Sequence, residues 1–519
     1  MSTATTGAVD RSARIVPRAL LPVLVVLRAL LSIALWRHSG GFFWLTGDDA
    51  SRMSLAFMWS EDPFFNLPGN PFWLPLGTWI HGVVLSFVPD PLLTSAVVSS
   101  VFSIGTMVLT YWITHLLFPT TPQVAPLAAA FVGFTPWIVW LGLSGLSEPI
   151  FHLFMLGGVF CWLLAHRYRR ARYSLLAALG FLGASMIRYE GWLLVVLFGG
   201  FSLLDARRSG RRLQTLASVV LAAAFIPIWL GWQWSVFGDP LHFARAASPL
   251  SRDVGLSPYV TMLVAISPWV CGLAVLGVGL SLWRREGIVR YLILVVAFYL
   301  GLIASMGGTV PGNLPIRNLT SMFLLIAPYA AYTVSSVFEQ PRRSRYLIAV
   351  AAVVAMVIGA WQSFDYRFQP RASVVATATW SRQLLNSMCL DDETQILIEV
   401  RRGGAAEQGV VWDSLFFRSV RPDRIIYDRR GNWVYRDGLW FLQEEENPSL
   451  LEGAPLEVAE RLRANRVGIV VAYSEAVHRV LGTFMQPIRE ADEYRMYAWP
   501  GASLLPADEA TDRRASRFQ

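Results

Sequence analysis

Long apolar runs separated by short basic clusters constrain this chain more than any other feature. A membrane-spanning helix needs about 20 apolar residues, and about eleven runs come close to that length. These runs cover residues 15–36, 91–118, 122–143, 148–165, 173–188, 190–204, 213–236, 259–282, 289–306, 319–338 and 345–363. The pattern predicts a mostly α-helical, polytopic membrane protein.

The basic clusters predict which loops face the cytoplasm. When the runs are counted as spans, the clusters at 166–172, 207–212, 283–290 and 341–345 fall on the same side as the N-terminal arginines. Loops rich in arginine remain in the cytoplasm. We therefore expect a protein of the cytoplasmic membrane with a cytoplasmic N-terminus. The loops expected outside are 47–49, 144–149, 188–191, 237–258 and 307–318.

The net charge of +8 is typical of proteins that bind nucleic acid. Here, however, the 44 basic residues are all arginine, and their clusters lie between apolar runs, where membrane topology requires them. No nucleic-acid partner is expected.

The composition changes after Phe364. Strand-like runs at 395–400, 423–428, 466–473 and 493–499 flank a helix-like segment at 455–466. This alternation indicates a small α/β domain, which the odd number of spans places outside the cytoplasm. The predicted domains are therefore a membrane domain at 1–363 and an extracytoplasmic domain at 364–519. The final dozen or so residues of the second are expected to be disordered.

Acidic residues are concentrated at the outward side. Asp48 and Asp49 are adjacent in the first outward loop, and Glu148 begins a later span. Paired carboxylates suit a general base or a metal ligand. Structural explanations are the alternative: an N-cap could explain one of the two Asp residues, and the helix dipole favours Glu in a first turn.

Other outward residues are candidates for binding substrate. Arg188 and Arg317 have the planar, bidentate geometry that suits a phosphate, although pairing with Glu190 or Glu148 and snorkelling at a helix end are alternatives. Glu190 and His242, which follows another span, are further candidates, although a lone histidine in a loop is usually just a solvated residue. Trp73 is a candidate for stacking on sugar or lipid, although tryptophan is also common at membrane interfaces.

The order and shared sidedness of three motifs resemble those of the GT-C superfamily of polytopic glycosyltransferases. The motifs are the acidic pair in Gly47–Asp49, the Ser-Glu of Ser147–Phe151 and the R-x-E-G turn Arg188–Gly191. The resemblance covers about residues 15–363 and includes protein-mannosyltransferase-like and GPI-mannosyltransferase-like members.

The resemblance implies an inverting transfer of a sugar on the extracytoplasmic side. The donor would be linked to polyprenyl phosphate, and the acceptor a glycan, lipid or protein. It implies Asp48 or Asp49 as catalytic base and Arg317 near the lipid phosphate, although Asn318 stands where an aromatic residue often follows. It also allows a divalent metal ion, with Asp49 and Glu148 as candidate ligands.

Two other classes fit a chain with many spans. A transporter of lipid or polysaccharide is expected to carry ionisable groups near the membrane midplane, often in paired broken helices, whereas the acids here lie at one face. The remaining alternative is a non-catalytic envelope scaffold whose outer domain binds a partner.

Overall fold

The computed structural model describes most of the first 337 residues and parts of the remainder. The described residues are 6–39, 47–66, 72–88, 90–209, 212–247, 251–253, 257–285, 287–306, 309–311, 315–337, 354, 357–358, 361, 394–399, 425–428, 433–436, 439–442, 449–491 and 494–500.

Helices dominate the described part up to residue 337. They are α1 (Thr6–His38), α2 (Gly47–Glu61), α3 (Leu76–Leu85), α4 (Pro91–Leu117), α5 (Val124–Phe134), α6 (Pro136–Leu141), α7 (Glu148–Tyr168), α8 (Ala171–Ser185), α9 (Glu190–Ser209), α10 (Arg212–Ala223), α11 (Phe225–Phe237), α12 (His242–Ala247), α13 (Ser257–Ile266), α14 (Pro268–Trp283), α15 (Val289–Met306) and α16 (Thr320–Val337). Strands β1 (Ser251–Asp253) and β2 (Thr309–Pro311) form an antiparallel pair, and a 3-10 helix, Pro315–Leu319, leads into α16.

Five stretches of described helix are long and apolar enough to cross a membrane, which confirms a polytopic, mostly helical protein. They are Leu20–His38, Pro91–Leu117, Glu148–Tyr168, Arg212–Phe237 and Arg317–Ser336. Helices α13 and α14 provide a sixth if they count as one span, and three further apolar helices are shorter. The total of eleven spans stays a prediction, and most of the run at 345–363 lies outside the described residues.

Prolines break three of the predicted spans into pairs of helices. Pro136 and Pro268 each begin the second helix of a pair, and α13 and α14 meet at a bend of 105°. Pro227, in the first turn of α11, cannot donate to the carbonyl of the preceding turn. In each pair a proline lies in the first turn of the second helix, where its missing N–H cannot bond to the helix before it, whereas α16 continues through Pro328 in its interior.

The chain divides into two compact units. The first comprises Met1–Ser39, Pro71–Gly77 and Ala96–Phe368. The second joins Gly40–Asn70 and Thr78–Ser95 to the C-terminal part, Gln369–Gln519. The predicted domain boundary between residues 363 and 364 stays a prediction.

Within the first unit, α7 and α8 form a tightly packed hairpin. A Cβ added to Gly180 would lie 2.6 Å from the backbone nitrogen of Gly158. Arg169 ends α7 in the left-handed region (φ 52°), which allows the chain to reverse within two residues. Because only glycine permits so close a backbone approach, these positions determine how far apart the ends of the hairpin lie.

The C-terminal part of the second unit contains a mixed five-stranded sheet, as its alternating pattern predicts. Its elements are β3 (Gln395–Ile398), β4 (Ile425–Tyr427), α17 (Pro455–Ala464), β7 (Val467–Ala472), α18 (Glu475–Leu481), β8 (Gln486–Ala491) and β9 (Tyr494–Ala498), with a separate hairpin of β5 (Trp433–Arg436) and β6 (Leu439–Leu442). The order is β4-β3-β7-β9-β8, with β3 parallel to both neighbours and the β7–β9 and β8–β9 pairs antiparallel. Buried residues such as Leu397, Val458, Leu462 and Val470 pack together in its core.

Candidate functional site

The α7–α8 hairpin brings Glu148 and Arg188 together although 40 positions separate them. Glu148 is the first residue of α7, and Arg188 lies in the turn after α8, so both occupy the open end of the hairpin. Glu148 is 1% exposed. The positive end of the helix dipole favours its negative charge, but a buried carboxylate also needs a partner.

Arg188 is that partner, and it binds three side chains at once. Its Nη1 donates to Glu148 Oε1 at 2.7 Å, and its Nε and Nη2 donate to Glu190 Oε1 at 3.1 and 2.7 Å. Nη2 also donates to Asn318 Oδ1 at 2.7 Å. Arginine presents several donors in a fixed plane and can bridge partners that a lysine could not. Arg188 thus joins the starts of α7 and α9 to the 3-10 helix before α16.

Arg317 reaches the same carboxylate from the 3-10 helix. Its Nε lies 3.4 Å from Glu148 Oε1, and its side chain is 9% exposed. Glu148 therefore lies between two guanidinium groups. The two glutamates and two arginines of this cluster balance in charge, as expected for ionised groups shielded from water. We call Glu148, Arg188, Glu190, Arg317 and Asn318 the ion-pair cluster.

Two residues that the sequence analysis did not select complete the base of the cluster. His152 lies one turn below Glu148 on α7, and its Nε2 is 3.1 Å from Thr320 Oγ1 at the start of α16. Both side chains are buried. The i, i+4 spacing of His152 from Glu148 on α7 and the position of Thr320 just after Arg317 are signals for this contact, but a lone histidine on an apolar helix does not identify its partner.

Gly191 explains why a glycine follows the Arg-Tyr-Glu motif. A Cβ at this position would lie 2.5 Å from the carbonyl carbon and oxygen of Ala184. The start of α9 therefore touches the backbone of α8, and this contact positions the turn that carries Arg188 and Glu190.

We expect Gly191→Ala to destabilise the protein by about 1–3 kcal/mol, the usual cost of forcing an extra methyl into a packed site. The thermal unfolding midpoint of the purified protein measures this effect. Gly200→Ala is the matched control, because it lies on the same helix with nothing within 4 Å of the added Cβ. Equal midpoints for the two variants would contradict the close contact.

Asp48 and Asp49 lie in the second unit, in the first turn of α2. The helix begins at Gly47, so both carboxylates are inside the first turn rather than at the N-cap. Asp49 is fully buried, whereas Asp48 is half-buried. The structure therefore distinguishes the two carboxylates by their exposure to solvent, whereas the sequence alone gives no reason to prefer either.

The segment with Trp73 lies beside the turn that carries Arg188. The backbone N–H of Leu76 donates to the carbonyl of Met186 at 3.1 Å. Trp73 is half-buried and contacts Phe72 edge to face. The predicted role of Trp73 in stacking on substrate stays a prediction.

Tyr189 connects the same turn to α12. Its ring stacks on Phe243 with centroids 4.5 Å apart. Burial raises the pKa of Tyr189 well above its usual range. The neighbouring His242 stacks on Phe237 at 4.1 Å. The structure thus brings the segment of His242 to the Arg188 turn, while the predicted binding role of His242 stays a prediction.

The predicted metal site can be tested against these surroundings. Glu148 Oε1 already lies beside two guanidinium groups, which would repel a divalent cation. Within the described ranges, no three His, Cys, Asp or Glu residues are grouped so that they could hold a metal ion. The surroundings of Glu148 fit an ion-paired carboxylate and not a metal ligand.

No family model matches the chain, and no curated protein matches it. Solved structures do resemble it. ArnT from Cupriavidus metallidurans in the apo state has a TM-score of 0.61 and 11% identity over 91% of this chain and 97% of that chain. The same protein bound to undecaprenyl phosphate has a TM-score of 0.60 and 12% identity over 93% and 99%. An Archaeoglobus fulgidus oligosaccharyltransferase tethered to an acceptor peptide has a TM-score of 0.54 and 13% identity over 95% and 75%. Both proteins are GT-C superfamily glycosyltransferases, so the predicted GT-C-like fold is confirmed.

Proposed function

We propose that this chain, which has the fold of the GT-C glycosyltransferases, transfers a sugar from a polyprenyl-phosphate-linked donor to an acceptor, with inversion at the anomeric carbon. The observation that carries the proposal is the buried ion-pair cluster, in which two guanidinium groups of the first unit lie close together. The fold supports the class of reaction. The undecaprenyl phosphate bound by ArnT supports the class of donor.

Arg317 is the better candidate for holding the donor phosphate. Its contact with Glu148 is 3.4 Å, whereas the shortest bonds of Arg188 to its three partners are each 2.7 Å. Arg188 therefore organises the cluster and Arg317 is held less tightly by Glu148. When the sugar leaves, negative charge grows on the phosphate, and a preorganised guanidinium stabilises that charge.

Asp48 is the better candidate for the catalytic base, because it is half-buried while Asp49 is fully enclosed. The base removes the proton of the acceptor hydroxyl as that oxygen attacks the anomeric carbon. Attack from the face opposite to the leaving phosphate inverts the configuration. A well-placed base contributes about 10²–10⁴-fold to the rate. Asp49 then serves as a positioning residue.

The proposed sidedness follows the arginine clusters. The N-terminus lies in the cytoplasm, and the donor head group, the ion-pair cluster and the C-terminal domain lie on the outer side of the cytoplasmic membrane. The C-terminal domain contacts the acceptor or a partner and does not perform the transfer.

The direct test is sugar transfer by the purified protein. The assay supplies polyprenyl-phosphate-linked hexoses and pentoses with envelope glycan, lipid or peptide acceptors and detects the product by mass analysis. We expect release of polyprenyl phosphate coupled to a glycosylated acceptor. A transporter or scaffold would give no transfer with any pair.

Arg317→Gln is expected to weaken donor binding about tenfold or more, because it removes a charge-assisted bond to phosphate. Arg317→Lys should recover part of the loss, since a point charge keeps the attraction but not the bidentate geometry. The measurement is the KM for donor separately from kcat. Arg212→Gln, an exposed arginine at the start of α10, is the control. Unchanged KM and kcat in Arg317→Gln would remove this residue from the donor site.

A further inference from the structure

A polar cavity lies at the end of the helices opposite to the ion-pair cluster. It has a volume of about 440 Å³ and is lined by residues of α7, α8, α9, α10 and α15 and of the α7–α8 turn. His166, one of the lining residues, lies ~27 Å along α7 from Glu148 at 1.5 Å per residue. The cavity is therefore separate from the proposed donor site, and its size is in the range of ligand pockets.

Arg290 and Asp205 form the floor of the cavity. Arg290 Nη1 donates to both oxygens of Asp205 at 2.6 Å and lies 3.2 Å from His166 Nδ1. A single nitrogen of the guanidinium makes all of these contacts. Nε and Nη2 of Arg290 make no hydrogen bond to any described residue. One edge of the guanidinium is therefore available to a ligand.

The α7–α8 turn adds further positive charge. Arg169 and Arg170 both line the cavity. Arg170 has no carboxylate within ion-pair distance in the described part of the chain. Asp205 is the only acid among the lining residues, so the arginines outnumber it. Hydroxyl groups such as those of Ser174 and Ser202 also line the cavity, and they can donate to an anion.

The helices around the cavity also carry large apolar side chains that face outward. On α9, α10 and α15 the exposed residues include Leu203, Leu204, Leu213, Leu216 and Val289, with exposures of 48% to 83%. Such side chains in a membrane protein face acyl chains. The cavity thus combines cationic donors with a neighbouring lipid-facing surface, which is the chemistry that an anionic lipid head group needs.

We propose that this cavity is a binding site for a phosphate group, with the guanidinium groups of Arg170 and Arg290 as its ligands. The apolar surroundings favour the head group of an anionic phospholipid as the source of that phosphate. In the predicted topology this lipid lies in the cytoplasmic leaflet, while the sugar donor occupies the opposite leaflet. The site is independent of the proposed transfer reaction.

The test compares lipid binding by two double variants of the full chain in detergent. Arg169→Asn with Arg170→Gln removes two cavity arginines, and Asn tolerates the left-handed conformation of residue 169. Arg167→Gln with Arg172→Gln removes two exposed arginines that flank the same turn but do not line the cavity. The probes are phosphatidylglycerol, phosphatidylcholine and inorganic phosphate, and the readouts are the thermal unfolding midpoint and lipid retention in native mass spectrometry.

We expect phosphatidylglycerol to raise the unfolding midpoint of the unmodified protein and to be retained in preference to phosphatidylcholine. Binding should weaken about tenfold or more in the cavity double variant and stay near normal in the flanking one. If the cavity variant does not fold, Arg170→Gln and Arg167→Gln provide the same comparison singly.

Protection by inorganic phosphate with the same dependence on the cavity arginines would support the site with free phosphate as the ligand. Equal weakening in both double variants would overturn the proposal, because it would show attraction to net charge alone. The absence of any preference for phosphatidylglycerol or phosphate in the unmodified protein would overturn it as well.

Discussion

Arg188→Gln is expected to lower the stability of the protein by about 3–5 kcal/mol, the cost of removing one partner from a buried ion pair. The substitution leaves the carboxylates of Glu148 and Glu190 without the guanidinium that bridges them, and both are largely shielded, with side-chain exposures of 2% and 13%. The unfolding midpoint measures the loss. Sugar transfer should fall together with the stability, because Arg188 orients Glu148 and Glu148 in turn holds Arg317.

Two comparisons separate this effect from a general loss of charge. Arg245→Gln makes the same substitution in an arginine that is 73% exposed and paired with Asp239. Exposed pairs contribute only about 0–1 kcal/mol, so its midpoint should barely change. Combining Arg188→Gln with Glu190→Gln should recover part of the stability, since one of the stranded charges is removed. Similar midpoints for Arg188→Gln and Arg245→Gln would show that the ion-pair cluster is not a buried network.

Asp48→Asn is expected to reduce sugar transfer by about a hundredfold or more, within the usual contribution of a general base. The side-chain volume hardly changes, and asparagine cannot accept the proton of the acceptor hydroxyl. Donor binding should remain, because arginine holds the phosphate. Asp49→Asn should give a smaller loss of turnover. The measurement is kcat together with a direct donor-binding assay for both variants.

Asp62→Asn, immediately after the end of α2 and exposed, is the control for these substitutions and should keep normal turnover. If Asp48 and Asp49 only stabilise the start of the helix, both Asn variants will stay stable and active, since the effect of a first-turn charge is small. Near-normal turnover in both would exclude them from the mechanism and leave Glu148 as the remaining carboxylate candidate.

Much of the architecture could be predicted from local patterns. The apolar runs at 91–118, 148–165 and 319–338 correspond closely to α4, α7 and α16, because a membrane requires continuous apolar helix. The strand-like runs of the C-terminal part coincide with β3, β4, β7 and β9. The breaks within the predicted spans were harder to predict from the sequence, because a proline starts a new helix only where the surrounding packing allows the bend.

The candidate site could be predicted in part. Glu148, Arg188, Glu190 and Arg317 stand out as charged residues at the same predicted face, and their contacts agree with the alternative that they pair with one another. Asn318 looked like a departure from a motif, but its Oδ1 accepts a hydrogen bond from Arg188. A side chain's partner 130 positions away depends on helix packing, which no local pattern records.

The sequence by itself determined that the protein is polytopic and mostly helical, and where its longest apolar helices lie. Hydrophobicity and charge act on each segment locally, so these features are readable without coordinates. Only the tertiary structure decided that Arg188 bridges three elements, that Gly191 must be glycine, and that a cationic cavity forms at the far end of α7. Each of these results from the distance between helices, and that distance is determined by the close packing of glycines and side chains far apart in the chain.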